Sequence, residues 1–528
     1  MGVMIFLDIM PDHIDASEWE KVYEETLEII NGYPFLDSIF DDQTYHCNWQ
    51  YVTRTEERAI PFADNQIGWH TIGDEQSLKI AESFVLVKDL QYYREYCGRG
   101  GNCEDILFSS IYDYPGINEQ LKQLKVNKVH VFDAKTQGEP FHIPLLAIAC
   151  LIESRFPQHA MVYGDISIGQ MEKALKWANS ILKKPIELTE RANNGKLLMR
   201  IKQELKDEAA ALEVFMDLTM REQDRELGEL VRMHFSYETI ATYYLSQFKK
   251  YKIGTFGFAT ELSNYLDQGF RLEDACELCV LDPAGCNYDA QKFAKSVLSM
   301  EWPTNDRSLT DLIPTKINAP NSDEPETVNS MLGKTLLQMS GFREEMKSNL
   351  TFEEVVCILR DQLGHLCNID LLIDKVIEKD RDLTTLLEDF HAKFDKDSED
   401  EEVKRIHYAI TAVEDLILWK HGDKIHPNLE DGIVMVKEFV EKLLERDKEF
   451  FAAFQNMTAK EKMRKLIQFN QFFYIHKRVW DEIVINLNDS ERTNKILGVL
   501  LIQADEITIN KLCKYSVNNQ ALFKAYFL

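Results

Sequence analysis

Val126-Asn-Lys-Val-His-Val-Phe-Asp133, Ile143-Pro-Leu-Leu-Ala-Ile-Ala-Cys-Leu-Ile152 and Ala160-Met-Val-Tyr-Gly-Asp165 follow one another in the chain, and their spacing decides the fold. The outer two read as apolar strands. The middle one reads as a helix with no polar face, which must be covered on nearly all sides. Pro144 suits its first turn, where a missing N–H costs nothing, and Pro157 ends it at Phe156. A second helix, from about Gly169 to Leu182, is amphipathic. Met171, Ala174, Leu175, Ala178, Ile181 and Leu182 recur at three- and four-residue steps, leaving Glu172, Lys173, Lys176 and Asn179 for water. Pro185-Ile-Glu-Leu188 closes the series as a third strand. Strand, helix, strand, helix, strand predicts a partly parallel sheet with right-handed crossovers.

Upstream, Gly2 to Met10 is an apolar strand, and Asp15-Ala-Ser-Glu18 opens a helix bearing Trp19, Val22, Tyr23, Leu27 and Ile30. Thr44 to Thr53, Gly68 to Ile72 and Phe84 to Val87 read as further strands. Residues 1–192 are therefore expected to form an α/β or α+β N-terminal domain. Downstream the periodicity becomes helical. Leu198, Ile201, Leu205, Leu212, Phe215 and Leu218 predict helix, with more around 222–250, 258–268 and 288–300, giving a helical domain over 193–301. Pro303, Pro314, Pro320 and Pro325 mark 302–327 as a Pro-rich linker. Residues 328–528 read as a large all-α C-terminal domain, with capping boxes at Thr351-Phe-Glu-Glu354 and Thr458-Ala-Lys-Glu461. The acidic run Asp395 to Glu402 reads as a solvated loop.

The chain of 528 residues has 60 Lys plus Arg against 88 Asp plus Glu, a net charge of −28. That balance argues against a nucleic-acid backbone or an anionic membrane as the main partner and leaves room for a basic protein or a cation, solubility being the plainer reading. No apolar run approaches the ~20 residues of a membrane span. The N-terminus lacks a basic region before its first apolar run, as a secretion signal would need. The ten cysteines are scattered, as expected of reduced thiols in a cytoplasmic protein.

Asp8, Asp133 and Asp165 each end an apolar strand. On neighbouring parallel strands their carboxylates would share the edge where open α/β sheets bind ligands. There they could hold Mg²⁺ or Mn²⁺ for chemistry on a phosphate-containing substrate, with Glu139 or His13 as further ligands. The alternative is that each caps the turn after its strand. Cys276, Cys279 and Cys286 place three thiols close together without the fourth ligand a zinc site wants. The loop Cys97-Gly-Arg-Gly-Gly-Asn-Cys103 is a weak anion-binding candidate. Gly333-Lys-Thr335 lacks the earlier glycine of a phosphate loop, Val328 standing in its place. Phe472, Phe473, Tyr474 and Trp480 form an aromatic run that either packs between helices or lines a protein-binding groove. Two functions remain. The preferred one is a non-enzymatic interaction or regulatory protein using an acidic helical body to bind or neutralise a protein partner. The other is a divalent-metal-dependent enzyme at the carboxylate edge.

Overall fold

The computed structural model describes residues 3–98, 101–108, 125–300, 302, 346, 348–378, 413–502 and 507–528. Most of the Pro-rich linker, the acidic run and the Gly333 segment lie outside the described residues. The chain divides into two compact units, each drawn from three separated segments. The first comprises Met1–Val22, Leu90–Asp133 and Ile143–Lys393, and the second Tyr23–Asp89, Ala134–His142 and Phe394–Leu528.

In chain order the strands are β1 (Met4–Ile9), β2 (Phe35–Asp41), β3 (Trp49–Arg54), β4 (Arg58–Ile60), β5 (Gln66–Asp74), β6 (Ile80–Val87), β7 (Val129–Lys135) and β8 (Ala160–Gly164). The first helices are α1 (Ala16–Gly32), α2 (Leu90–Tyr96), α3 (His142–Arg155), α4 (Ile168–Ala178), α5 (Asn194–Glu204) and α6 (Glu208–Leu218). They continue with α7 (Arg225–His234), α8 (Tyr237–Lys250), α9 (Phe256–Asp267), α10 (Leu272–Cys276), α11 (Ala290–Leu298) and α12 (Phe352–Leu363). The C-terminal set is α13 (Pro427–Arg446), α14 (Lys448–Gln455), α15 (Ala459–Phe469), α16 (Lys477–Ile485), α17 (Ser490–Leu500), α18 (Ile507–Asn518) and α19 (Gln520–Phe527).

In the first unit β7, β1 and β8 form a three-stranded sheet in that order, and it is antiparallel. The expectation of a partly parallel sheet is corrected. β1 occupies the slot between the two strands of the crossover, pairing with β8 from Ile5↔Gly164 to Ile9↔Ala160. β7 and β8 still point the same way, as the α3 connection requires, but about 10 Å apart with a strand between them. Helix spacing fixes the direction of the returning strand and leaves open whether it lands one place or two places over. The apolar β1, whose Ile5, Leu7 and Ile9 are fully buried, fills the gap.

Pro185 to Leu188 forms no strand, a second correction. The backbone there is satisfied by side chains instead. Asn179 Oδ1 accepts from Ile186 N at 2.8 Å, its Nδ2 donates to Ile186 O at 3.0 Å, and Arg155 Nη1 donates to Pro185 O at 3.2 Å. The other regular elements among this unit's described residues are helices. The predicted long helix over 198–218 is two, because Asp207 caps α6 by accepting from Ala210 N. The capping box at Thr351 opens α12 as read.

The second unit joins a five-stranded antiparallel sheet to the C-terminal helices. The order is β3-β2-β5-β4, with β6 on the other edge of β5. Leu36, Trp49, Val52 and Ile72 of the sheet, with Leu78 of the β5–β6 turn, share one core with Leu429, Ile433, Val436, Phe454, Trp480, Leu497, Tyr515 and Phe523 of the helices. Each such side chain, fully buried, contributes roughly 1.5–3 kcal/mol. The sequence reading passes over β2 and β4. β2 carries Asp37 inside its apolar run, and β4 is three residues long. Among the described residues no helix is long and apolar enough to cross a membrane.

Candidate functional site

The three strand-end aspartates are placed differently from one another. Asp8 is fully buried, with Lys128 Nζ at 2.7 Å, His130 Nδ1 at 2.6 Å and Tyr163 Oη at 3.2 Å around its carboxylate. Asp165 is exposed and caps the other end of β1, where its Oδ2 accepts from Met4 N at 2.9 Å. The register sets Asp8 against Met161 and Ile5 against Gly164, so Asp8 and Asp165 lie toward opposite ends of the strand pair. Asp133 is exposed on β7. Glu139 is ion-paired to Lys79 at 3.0 Å, and His13 stacks on His159. Among the described residues no three His, Cys, Asp or Glu side chains are grouped to hold a metal. Asp8 is instead a neutralised carboxylate anchoring β7 to β1.

A different carboxylate organises the second unit. Gly68 pairs with Arg58 and with Val87, while Gly73 pairs with Leu36 and with Ile80. β2 and β4 therefore share one edge of β5, and Asp37 sits where β2 leaves it. Arg58 clamps Asp37 with Nε to Oδ2 at 2.6 Å and Nη2 to Oδ1 at 2.9 Å, a two-bonded geometry that suits guanidinium and carboxylate. His70 Nδ1 lies 2.5 Å from Asp37 Oδ1. An ionised carboxylate only accepts, so Nδ1 is the donor of this pair. The ring's Nε2 is buried and meets no partner among the described residues. Asp37 and His70 are 1% and 2% exposed, and the Phe62 ring stands edge-on to His70 at 5.1 Å.

This ion network pins the β4–β5 hairpin from behind. The hairpin turns through Pro61–Asn65, with Asp64 and Asn65 in the left-handed region at φ 53° and 58°, closed by Asn65 N donating to Ile60 O at 3.0 Å. Phe62 is 62% exposed at the tip. Ile67, 46% exposed, faces exposed Ala59 across the strands. Glu56, Glu57 and Asp64 are exposed on the same hairpin or just before it. Residues 23–89 hold 13 acidic and four basic side chains. Of the four, Arg58 is committed to Asp37, Lys79 to Glu139 and Glu414, and Lys88 to Glu24 and Glu57. Residues 413–502 and 507–528, the described C-terminal helices, hold 17 basic and 15 acidic. The acidic surplus of this unit's described residues lies on the sheet segment.

Lys79 joins the unit's three segments, with Glu139 at 3.0 Å and Glu414 at 2.9 Å; Glu414 also meets Lys511 at 3.2 Å. Burial alone would lower the Lys79 pKa, but the bonds to Glu414 and Glu139 leave it raised. Nearby, burial and the adjacent Lys511 push Lys514 down to about 8, while its Nζ donates to Leu78 O at 2.6 Å.

Of the aromatic run, Trp480 is fully buried and edge-on to Trp49 at 6.0 Å, Phe473 and Tyr474 are half-buried against the same core, and only Phe472 is open, at 49%. The sequence reading misses Asp37, Arg58, His70 and Phe62, which stand far apart and match no motif. No protein-family model, curated protein or solved structure matches the chain.

Proposed function

We propose that the chain is a cytoplasmic, non-enzymatic interaction protein that receives a basic segment of a protein partner on the β4–β5 hairpin. One observation carries this reading: a hairpin held rigid by Asp37, Arg58 and His70 presents Phe62 and Ile67 to solvent beside Glu56, Glu57 and Asp64. Exposed aromatic and aliphatic side chains on a pre-ordered element serve as anchors. The surrounding carboxylates select a partner with Lys or Arg beside its apolar residues. The surface thus lies on the sheet segment, and the helices behind it serve to cover the sheet's core. A divalent-metal enzyme is the reading left behind, since Asp8 is already neutralised by Lys128 and His130 within its own unit.

The test is fluorescence anisotropy of the full chain against two labelled peptides of equal length, one of alternating Lys and Leu, the other of Glu and Leu. The Lys peptide is expected to bind, more weakly as salt rises. Phe62→Ser with Ile67→Ser should weaken it by about tenfold or more, and Glu56→Lys with Glu57→Lys should act in the same direction. Equal affinity across all variants, or equal binding of both peptides, would overturn the proposal.

A further inference from the structure

In the first unit, α10 does not stop at Cys276 but widens into a π-turn over Glu277–Leu281. The chain then folds back onto this turn. Cys286 N donates to Leu278 O at 2.9 Å, and Tyr288 N donates to Cys279 O at 2.9 Å. Gly285 is required at the fold-back, because a Cβ there would stand 2.3 Å from Leu278 O. Tyr288 Oη fixes the far side by donating to Phe248 O at 2.6 Å and Tyr251 O at 2.8 Å. The backbone bonds from Cys286 N and Tyr288 N set Cys279, fully buried, and Cys286, half-exposed, on adjoining turns of the chain. Lys249 lies against the same loop, its Nζ donating to Ala284 O at 3.3 Å.

We propose that Cys286 and Cys279 are a peroxide-reactive thiol pair, Cys286 attacking the oxidant and Cys279 resolving the product as an intramolecular disulfide. The electrostatics agree with those roles. The adjoining Cys279 thiol, then the charge of Lys249, hold the Cys286 thiol below its ordinary pKa against the opposing effect of burial. Burial raises that of Cys279, so the resolving sulfur stays a thiol. The attacking group is thereby the more ionised and the more accessible of the two, as thiolate chemistry requires. In the first step the Cys286 thiolate sulfur attacks one peroxide oxygen and the O–O bond breaks. A sulfenic acid forms, and the displaced hydroxide takes the thiol's proton as water. In the second step Cys279 sulfur attacks the sulfenic sulfur and the S–O bond breaks. Its thiol proton leaves with the hydroxide as a second water. Two thiols are oxidised by two electrons and one peroxide is reduced. Cys276, also fully buried, is the internal control for position, and Cys357, exposed on α12, for mere accessibility.

The experiment treats the full-length chain with stoichiometric hydrogen peroxide and maps cysteines by mass spectrometry without reduction. The expected wild-type product is a Cys279–Cys286 disulfide. Cys279→Ser should halt at the sulfenic acid, trapped as a dimedone adduct on Cys286. Cys286→Ser should leave Cys279 a free thiol. Iodoacetamide should label Cys286 about tenfold faster than Cys357 at neutral pH. Thermal melting of both variants checks that the fold survives. Oxidation first at Cys357, a disulfide through Cys276, or no dimedone adduct in a folded Cys279→Ser chain would overturn the assignment.

Discussion

Asp37 is where the second unit is most sensitive to a single atom. Its carboxylate satisfies a guanidinium and an imidazole at once, and it is almost wholly out of water. Asp37→Asn removes the charge and leaves Arg58 facing an amide, so it should cost about 3–5 kcal/mol, read from urea unfolding midpoints. Phe62→Ser on the open tip should cost little stability, so its effect belongs to binding. Lys514 gives a pH prediction. Its pKa in the folded chain is about 8 against an ordinary 10.5. Between those two values the unfolded chain binds more protons than the folded one, so this group makes stability rise as pH climbs from about 8 to 10.5. Lys514→Met should flatten that rise, and an unchanged pH profile would contradict it. At this scale the sequence was legible only where chemistry is local. Asp15 capping Ser17 and Glu18, and the Thr458–Glu461 box, follow from adjacent residues. The Asp37 cluster needs three strands in register before it exists.

Elements were legible where periodicity is long. α3 and α4 occur within a few residues of the positions their apolar spacing gives, and the strands at Gly68–Ile72 and Phe84–Val87 are the centre of β5 and the end of β6. Pairing was not legible, because alternation tells which face of a strand is buried but not which strand lies beside it. β1 thus displaced the predicted β7–β8 contact. The run Val436, Phe439, Val440, Leu443, Leu444, Phe450, Phe451 and Phe454, which has helical spacing, is divided between two helices. α13 and α14 break at Asp447, and Phe439 is 51% exposed while Val436 and Val440 are buried. Gly68 tests the pairing that was found. It lies between β4 and β6, and a Cβ there would stand 2.3 Å from Leu86 O. Gly68→Ala should therefore force β5 and β6 apart, lowering the melting temperature by several degrees and weakening peptide binding together with it. An unperturbed melt would contradict the register.

At the scale of the molecule, linear domain reading meets units that are not linear. Residues 23–89 supply a sheet whose apolar side chains Leu36, Trp49, Val52 and Ile72, with Leu78 of a turn, are covered by side chains of the described C-terminal helices. Composition changes sharply near residue 193, yet nothing in local composition reports that a C-terminal helix returns to an N-terminal sheet. A fragment of residues 1–192 should consequently expose the sheet's apolar side chains, bind a hydrophobic dye and melt without cooperativity. A sharp two-state melt of the fragment would contradict the shared core. Of the net charge of −28 the sheet segment carries nine, while the described C-terminal helices are nearly balanced. Hydrogen–deuterium exchange of the full chain with and without the Lys/Leu peptide tests the central claim most directly. The prediction is slowed exchange concentrated in Arg58 to Gly68. Protection confined to Phe472–Tyr474, or none in the hairpin at saturating peptide, would contradict it.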